Sequence, residues 1–373
     1  MMADNWGMVG HQWAVNLLRQ HVQQGVVRHA YLICGPAGIG RRTLALRFIQ
    51  ALNCPSPLAS GEPCRTCHTC EQVDRMQYAN LEILQPELKG GSIKIEQLRE
   101  SGIQFKASLT PFQGRFRMAL FLNFQAATNE TQNALLKTLE EAQSQAIFIL
   151  IAENPDQLLP TITSRCEVLR LRPDTVNNVR TLLLDKGAEP GQAALLAHVS
   201  EGRVGMALSL LHSPQLPEIL AERSLRLDEI LTLLDASRLG RFNYADKLSR
   251  SRKGSKEIKE ENQAEQTKIT QGDEKTNPKD KTQTKTRDAV RQVMQLWTTW
   301  WRDVYFASIQ ADLPPINIDR QDQIKFLAGR LGSARALILT DKMNHALELL
   351  DKNVNIRLLV EDVLLDWPMI KTD

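Results

Sequence analysis

Nine consecutive residues, Gly35-Pro-Ala-Gly-Ile-Gly-Arg-Arg-Thr43, carry the G-x-x-x-x-G frame of a phosphate-binding loop. In a working loop of this kind, backbone N–H groups cradle the phosphates, a lysine reaches the β- and γ-phosphates, and a hydroxyl holds magnesium. Gly35, Gly38 and Gly40 supply the frame, but Arg41 and Arg42 stand where Lys and then Ser or Thr belong. Arg41 keeps a positive charge in a larger, planar fork. Arg42 puts a cation where the metal would sit, and the hydroxyl of Thr43 comes one residue late. Taken alone, the loop also fits a glycine turn unrelated to nucleotides. The apolar run Met118-Ala-Leu-Phe-Leu122 adds to the pattern. Its end should carry acids for metal and water, yet Leu122 and Asn123 stand there, and neither can act as a general base. The two motifs together predict a nucleotide-hydrolase framework without hydrolytic chemistry of its own, whether or not ATP binds.

Cys54, Cys64, Cys67 and Cys70 form a second candidate site, spaced C-x9-C-x2-C-x2-C. Thiolates two residues apart reach one ion from a tight turn, and zinc takes four tetrahedral ligands. Four cysteine ligands leave no position for water, so the spacing predicts a structural zinc site rather than a catalytic one. Gly61, Pro63 and Thr66 suit the turns, and His68 offers a substitute ligand that a full set of thiolates does not need. Cys34 and Cys166 lie elsewhere and read as packing residues.

The elements that must position these residues alternate between short apolar strands and amphipathic helices. Strand-like runs at Ala30–Cys34, Leu81–Leu84, Arg117–Leu122 and Ala146–Ile151 are separated by helical patterns at Arg42–Leu52 and Thr128–Ala142. Short all-apolar strands divided by helices predict a parallel sheet covered on both faces, an α/β fold, over residues 1–171. After Leu171 the pattern is helical throughout. Three short helices over 172–212 are followed by an all-α segment over 213–373. Residues 249–288 are nearly all polar and charged, so the expectation there is disorder. Trp297, Trp300 and Trp301 fall on one helix face and read as core rather than as a stacking platform for bases.

Composition narrows the class. The chain has 373 residues, 42% hydrophobic and 24% charged, with a net charge of +3, which suits several ordinary globular domains. Such a mild charge permits nucleic acid nearby without requiring a dedicated surface for it. No basic segment leads into an apolar one at the N-terminus, and no apolar run approaches the ~20 residues a membrane span needs. The expectation is a cytoplasmic protein whose clustered cysteines hold metal rather than form disulfides.

Several residues together resemble one family, the clamp-loader AAA+ subunits of bacterial DNA polymerase III. Asn133-Ala-Leu-Leu-Lys-Thr-Leu-Glu-Glu141 looks like the family's signature helix, and Pro160-Thr-Ile-Thr-Ser-Arg-Cys166 looks like its Ser-Arg-Cys element. The four cysteines at about 54–70 fall where the family inserts a zinc module, and Gly205 replaces a sensing arginine of its ATPase members. The resemblance covers about Trp6 to Leu211 and implies an AAA+ body, a helical lid and a helical collar. Loss of the ATP motifs is similar to the delta-prime type of subunit. For that type the resemblance implies partnership with gamma/tau and delta subunits, and with the sliding clamp and primed DNA through the assembled loader. It also implies that Ser164 and Arg165 act in trans, Arg165 reaching a neighbour's ATP. The alternative is an active gamma/tau-type ATPase with unusual motifs. A zinc-dependent DNA-binding module is a third, poorly supported by the mild charge.

Overall fold

The computed structural model describes residues 6–58, 61–87, 90–112, 114–141, 145–250, 278–350, 352 and 354–370, with the backbone alone at 278–285. The chain divides into two compact units, Met1–Leu211 and His212–Asp373.

In the first unit the described residues form one five-stranded sheet. Its strands are β1 (Ala30–Cys34), β2 (Leu81–Leu84), β3 (Arg117–Phe121), β4 (Ala146–Ala152) and β5 (Glu167–Arg170). They lie in the order β2-β3-β4-β1-β5, every neighbouring pair parallel. Side chains alternate between the faces of a strand, so an all-apolar strand must be covered on both. Tyr31, Ile33, Ile147, Ile149 and Ile151 join one core, while Leu32, Cys34, Phe148, Leu150 and Ala152 join the other. The first core is completed by α1 (Gln12–Gln24), α2 (Arg41–Asn53) and α3 (His68–Asp74). On the opposite face lie α4 (Ile95–Glu100), α5 (Ile103–Lys106), α6 (Asn129–Glu140) and α7 (Pro160–Thr163). The covered parallel sheet expected from the sequence is therefore present.

Local signals set several boundaries. The Thr128 hydroxyl accepts from the Thr131 N–H at 3.2 Å and starts α6, whose Leu135 and Leu139 are buried. After β5 come α8 (Val176–Asp185), α9 (Pro190–Val199) and α10 (Val204–Leu211), all in the first unit. Thr175 caps α8 by accepting from Asn178 N–H, and proline opens α9 at a position that needs no N–H.

In the second unit every described element is helical apart from a short 3₁₀ turn: α11 (Leu216–Asp235), α12 (Arg238–Arg250), α13 (Pro278–Ser308), α14 (Gln321–Leu350) and α15 (Ile356–Leu365). Gly332 breaks the helical backbone within α14 (φ 70°), so that α14 is two helices joined at a kink. Trp297, Trp300 and Trp301 are fully buried, and Trp297 and Trp301 meet Trp367 edge to face at 5.0 and 5.3 Å. Their role is core packing. Arg241, 3% exposed, ties this core together by donating to the carbonyls of Leu233, Leu234, Leu364, Trp367 and Pro368.

One expectation needs correction. The disorder expected over 249–288 does not hold at the two ends of that stretch, because Ser249 and Arg250 end α12 and α13 begins at Pro278. Residues 251–277 of that stretch lie outside the described residues. Once the buried tryptophan segment of α13 is helical, each added residue gains a backbone hydrogen bond at little further cost. Polar Lys, Gln and Arg are good helix formers, so the missing apolar periodicity did not signal the extension.

Candidate functional site: a glycine loop, a four-thiol cluster and a partly exposed arginine

The glycine loop joins the C-terminal end of β1 to the first turn of α2, the usual place for a phosphate loop. Gly38 and Gly40 have φ of 78° and 109°, where side chains are strained. Another element occupies the space beside the loop. Met206 of α10 donates its N–H to the Gly38 carbonyl at 2.8 Å, so the loop caps the first turn of α10. The backbones meet so closely that a Cβ on Gly205 would stand 2.7 Å from the Gly38 oxygen. A Cβ on Gly38 would stand 2.8 Å from that of Met206. Position 205 therefore admits no side chain in this arrangement, arginine included.

The cations of the loop part company. Arg42 and Thr43 are exposed, whereas Arg41 is only 8% exposed. Its guanidinium lies 3.7 Å from Glu153, which follows β4, and its Nη1 has no hydrogen-bond partner among the described residues. Burial pulls the Arg41 pKa below the ordinary arginine value, and Glu153 opposes that effect. Asn154 beside it accepts from Asp156 N–H and closes a turn. At the end of β3, Leu122 is buried in the core and Asn123 turns the chain with φ 54°, a conformation asparagine tolerates. No acidic side chain stands at either position.

The four cysteines converge. Cys54 ends α2, Cys64 and Cys67 flank a turn through Arg65 (φ 60°), and Cys70 lies in α3. Their sulfurs all lie within 4.8 Å of one another, with Cys54 3.5 Å from Cys64 and 4.0 Å from Cys67. A tetrahedron with Zn–S near 2.3 Å has S···S edges of about 3.8 Å, so these spacings fit. Cys64 accepts from the Cys67 N–H at 3.3 Å, and Cys67 from that of Cys70 at 3.5 Å. Burial raises the Cys64 pKa, but N–H groups of Thr66 and Cys67 and the neighbouring thiols outweigh it, bringing it down to about 6. Burial pushes Cys54 and Cys70 upward instead. Four thiols at these distances could bind a metal such as zinc. Gln50, fully buried on α2, donates to the Cys70 carbonyl at 2.7 Å and locks α3 in place. Cys34 is buried in the core with its thiol pushed up by burial to about 11. Cys166 packs against the same core, pushed up to about 12.

Arg165 lies apart from the glycine loop. It precedes β5, whose Glu167 pairs with Tyr31 and Arg170 with Cys34. The loop leaves β1 after Cys34, so the two sites lie at opposite ends of adjacent parallel strands. The length of β5 alone, at about 3.3 Å per residue, keeps them roughly 10 Å apart. The Arg165 side chain is 35% exposed, its guanidinium paired with Glu140 at 2.5 Å and donating to the Thr161 carbonyl at 2.9 Å. Ser164 is exposed, and its hydroxyl donates to the same Thr161 carbonyl.

Two family models match this chain: DNA polymerase III, delta subunit, over residues 10–175, and DNA polymerase III, delta subunit, C terminal, over 275–368. The chain belongs to the clamp-loader family of DNA polymerase III subunits. Bacillus subtilis DNA polymerase III subunit delta' is 29% identical over 58% of this chain and 64% of its own length. The Pseudomonas aeruginosa delta' subunit is 37% identical over 37% of this chain and 41% of its own. Escherichia coli subunit tau is 31% identical over 54% of this chain and 32% of its own. The chain thus spans less than two thirds of these relatives. Among solved structures, a gamma-subunit-related protein of Thermotoga maritima aligns over 94% of this clamp-loader chain and 97% of its own. Its TM-score is 0.44 and its identity 15%. Among the described residues no helix is long and apolar enough to cross a membrane.

Three participants escaped sequence reasoning. Glu140 as the partner of Arg165, Gln50 behind the cysteines and Met206 on the glycine loop join elements distant in the chain, and no local pattern marks such pairs. Glu140 lies in the segment Asn133–Glu141, whose resemblance to a family motif was the hint available in the sequence.

Proposed function

We propose that this chain is a delta-prime-like subunit that hydrolyses no ATP itself and completes the ATP site of a neighbouring subunit. In this reading residues 1–171 are an AAA+ body, 172–212 its lid and 213–373 a collar segment. It assembles with gamma/tau and delta subunits and helps load a sliding clamp onto primed DNA. The observation that carries the reading is the position of Arg165, partly exposed at the end of the sheet away from the chain's own glycine loop. From there it can serve a site on another molecule. A trans-acting arginine offsets charge on the transferring phosphoryl group and contributes roughly 10³ to 10⁵ in rate at the site it serves.

Support also comes from the chain's own loop. Arg41 is turned toward Glu153, Arg42 is exposed, Leu122 and Asn123 offer no acid, and α10 rests on Gly38. Each removes a different requirement of hydrolysis. The four cysteines, in the same reading, hold a structural zinc ion that fixes the turn between α2 and α3. The test is the ATPase rate of the loader reconstituted with gamma/tau and delta subunits. Arg165→Ala should leave the chain folded and slow that rate, and an unchanged rate refutes the trans role. The similarity to Escherichia coli tau favours a second reading, an active ATPase. Magnesium-dependent turnover by the purified chain alone decides for it.

A further inference from the structure

We propose that Glu140 is a positioning residue for Arg165, holding its guanidinium so that the unused N–H groups face a phosphate from another subunit. This rests on the trans-arginine reading above. An arginine at the end of a short loop carries about 2 kcal/mol of side-chain rotational freedom, and a group needed in one orientation gains from being held beforehand. Here the fork is held from two sides. Glu140, the last residue of α6, accepts from Nη2, and the Thr161 carbonyl, in α7, accepts from Nη1. α6 is fixed to the core through buried Leu135 and Leu139, and α7 through buried Ile162. Both anchors therefore sit on packed helices rather than on the loop that carries the arginine.

The count of donors explains why a carboxylate can orient this arginine without disabling it. A guanidinium presents five N–H groups, and the two contacts use one each on Nη1 and Nη2. Among the described residues three remain without a contact, including Nε–H, enough for a paired approach to phosphate oxygens. The Glu140 carboxylate is half exposed (50%), so water screens the ion pair and its attraction is modest. A phosphoryl group can then share the guanidinium instead of having to expel Glu140.

The experiment uses the full chain in the reconstituted loader, with Glu140→Gln, Arg165→Ala and the double variant. Glutamine retains an oxygen that accepts a hydrogen bond but loses the charge that fixes the fork. Glu140→Gln should lower kcat of the loader about tenfold, the lower end of what loss of an orienting partner costs at other sites, with KM for ATP little changed. Glu140→Gln added to Arg165→Ala should cost nothing further, because there is no guanidinium left to orient. The isolated chain should melt at the same temperature in all three forms, which excludes general damage to α6. If Arg165→Ala slows the loader and Glu140→Gln does not, the positioning role falls and the trans arginine stands. A faster Glu140→Gln loader also overturns it, since Glu140 would then be a restraint that catalysis must release. If Arg165→Ala itself has no effect, the trans reading fails, and this inference fails with it.

Discussion

Replacing Gly205 with alanine tests the close backbone approach between α10 and the glycine loop. The added Cβ would lie 2.7 Å from the Gly38 carbonyl oxygen and must retreat about 0.7 Å to reach ordinary contact at 3.4 Å. The neighbour is backbone, in a loop with three positive-φ glycines, so it cannot swing aside as a side chain would. The retreat stretches the 2.8 Å bond from Met206 N–H to Gly38 toward the limit of hydrogen bonding. Overpacking of this kind costs about 1–3 kcal/mol and the weakened bond about 1 kcal/mol. Alanine recovers at most about 1 kcal/mol through its helix propensity. The net expectation is about 1–3 kcal/mol of destabilisation in the first unit. Gly191, in α9, provides the control: a Cβ there meets nothing within 4 Å and its φ is ordinary. Gly191→Ala should stabilise, by about 0.4–1 kcal/mol. Calorimetry of both variants reads the sign, and hydrogen exchange at Met206 reads the bond itself. If the two substitutions shift the transition alike, or Met206 exchange is unchanged in Gly205→Ala, the contact between α10 and the loop is wrong.

Other expectations follow from the same geometry. Metal analysis should find about one zinc per chain, and a strong chelator should lower the melting temperature of the first unit, since a structural site contributes directly to folding; a metal-free preparation insensitive to chelator refutes the zinc assignment. Arg241→Lys replaces five fixed donors with three on a single nitrogen, leaving at least two of the five bonded carbonyls short of a donor. The second unit should lose about 2–4 kcal/mol, read by fluorescence of its buried tryptophans; a change below about 0.5 kcal/mol would show that water or a repacked chain replaces the arginine.

What could be read from the chain and what could not divide along a physical line. The runs Ala30–Cys34, Met118–Phe121 and Ala146–Ala152 declare a covered parallel sheet, because only a strand buried on both faces can be apolar at every position. Cysteine spacing predicted convergence equally well, since a knuckle is a local turn and its geometry is nearly fixed by the residues within it. The losses at Arg41, Arg42, Leu122 and Asn123 were likewise visible, because the motif itself prescribes which chemistry belongs at each position. The charged stretch was misjudged at its edges, where absent hydrophobic periodicity hid residues that extend a helix already paid for by its core. Glycine at 205 could be noticed in the sequence but not explained. The reason is the carbonyl of Gly38, 167 residues earlier in the chain, brought against it by packing. Arg165 shows the same division. Its identity and neighbours, Ser164 and Cys166, stand in the sequence, while its exposure, its distance from the chain's own loop and its partner Glu140 do not. Side-chain type is a property of the residue, but access and orientation belong to the space between elements, and only the folded chain sets that space.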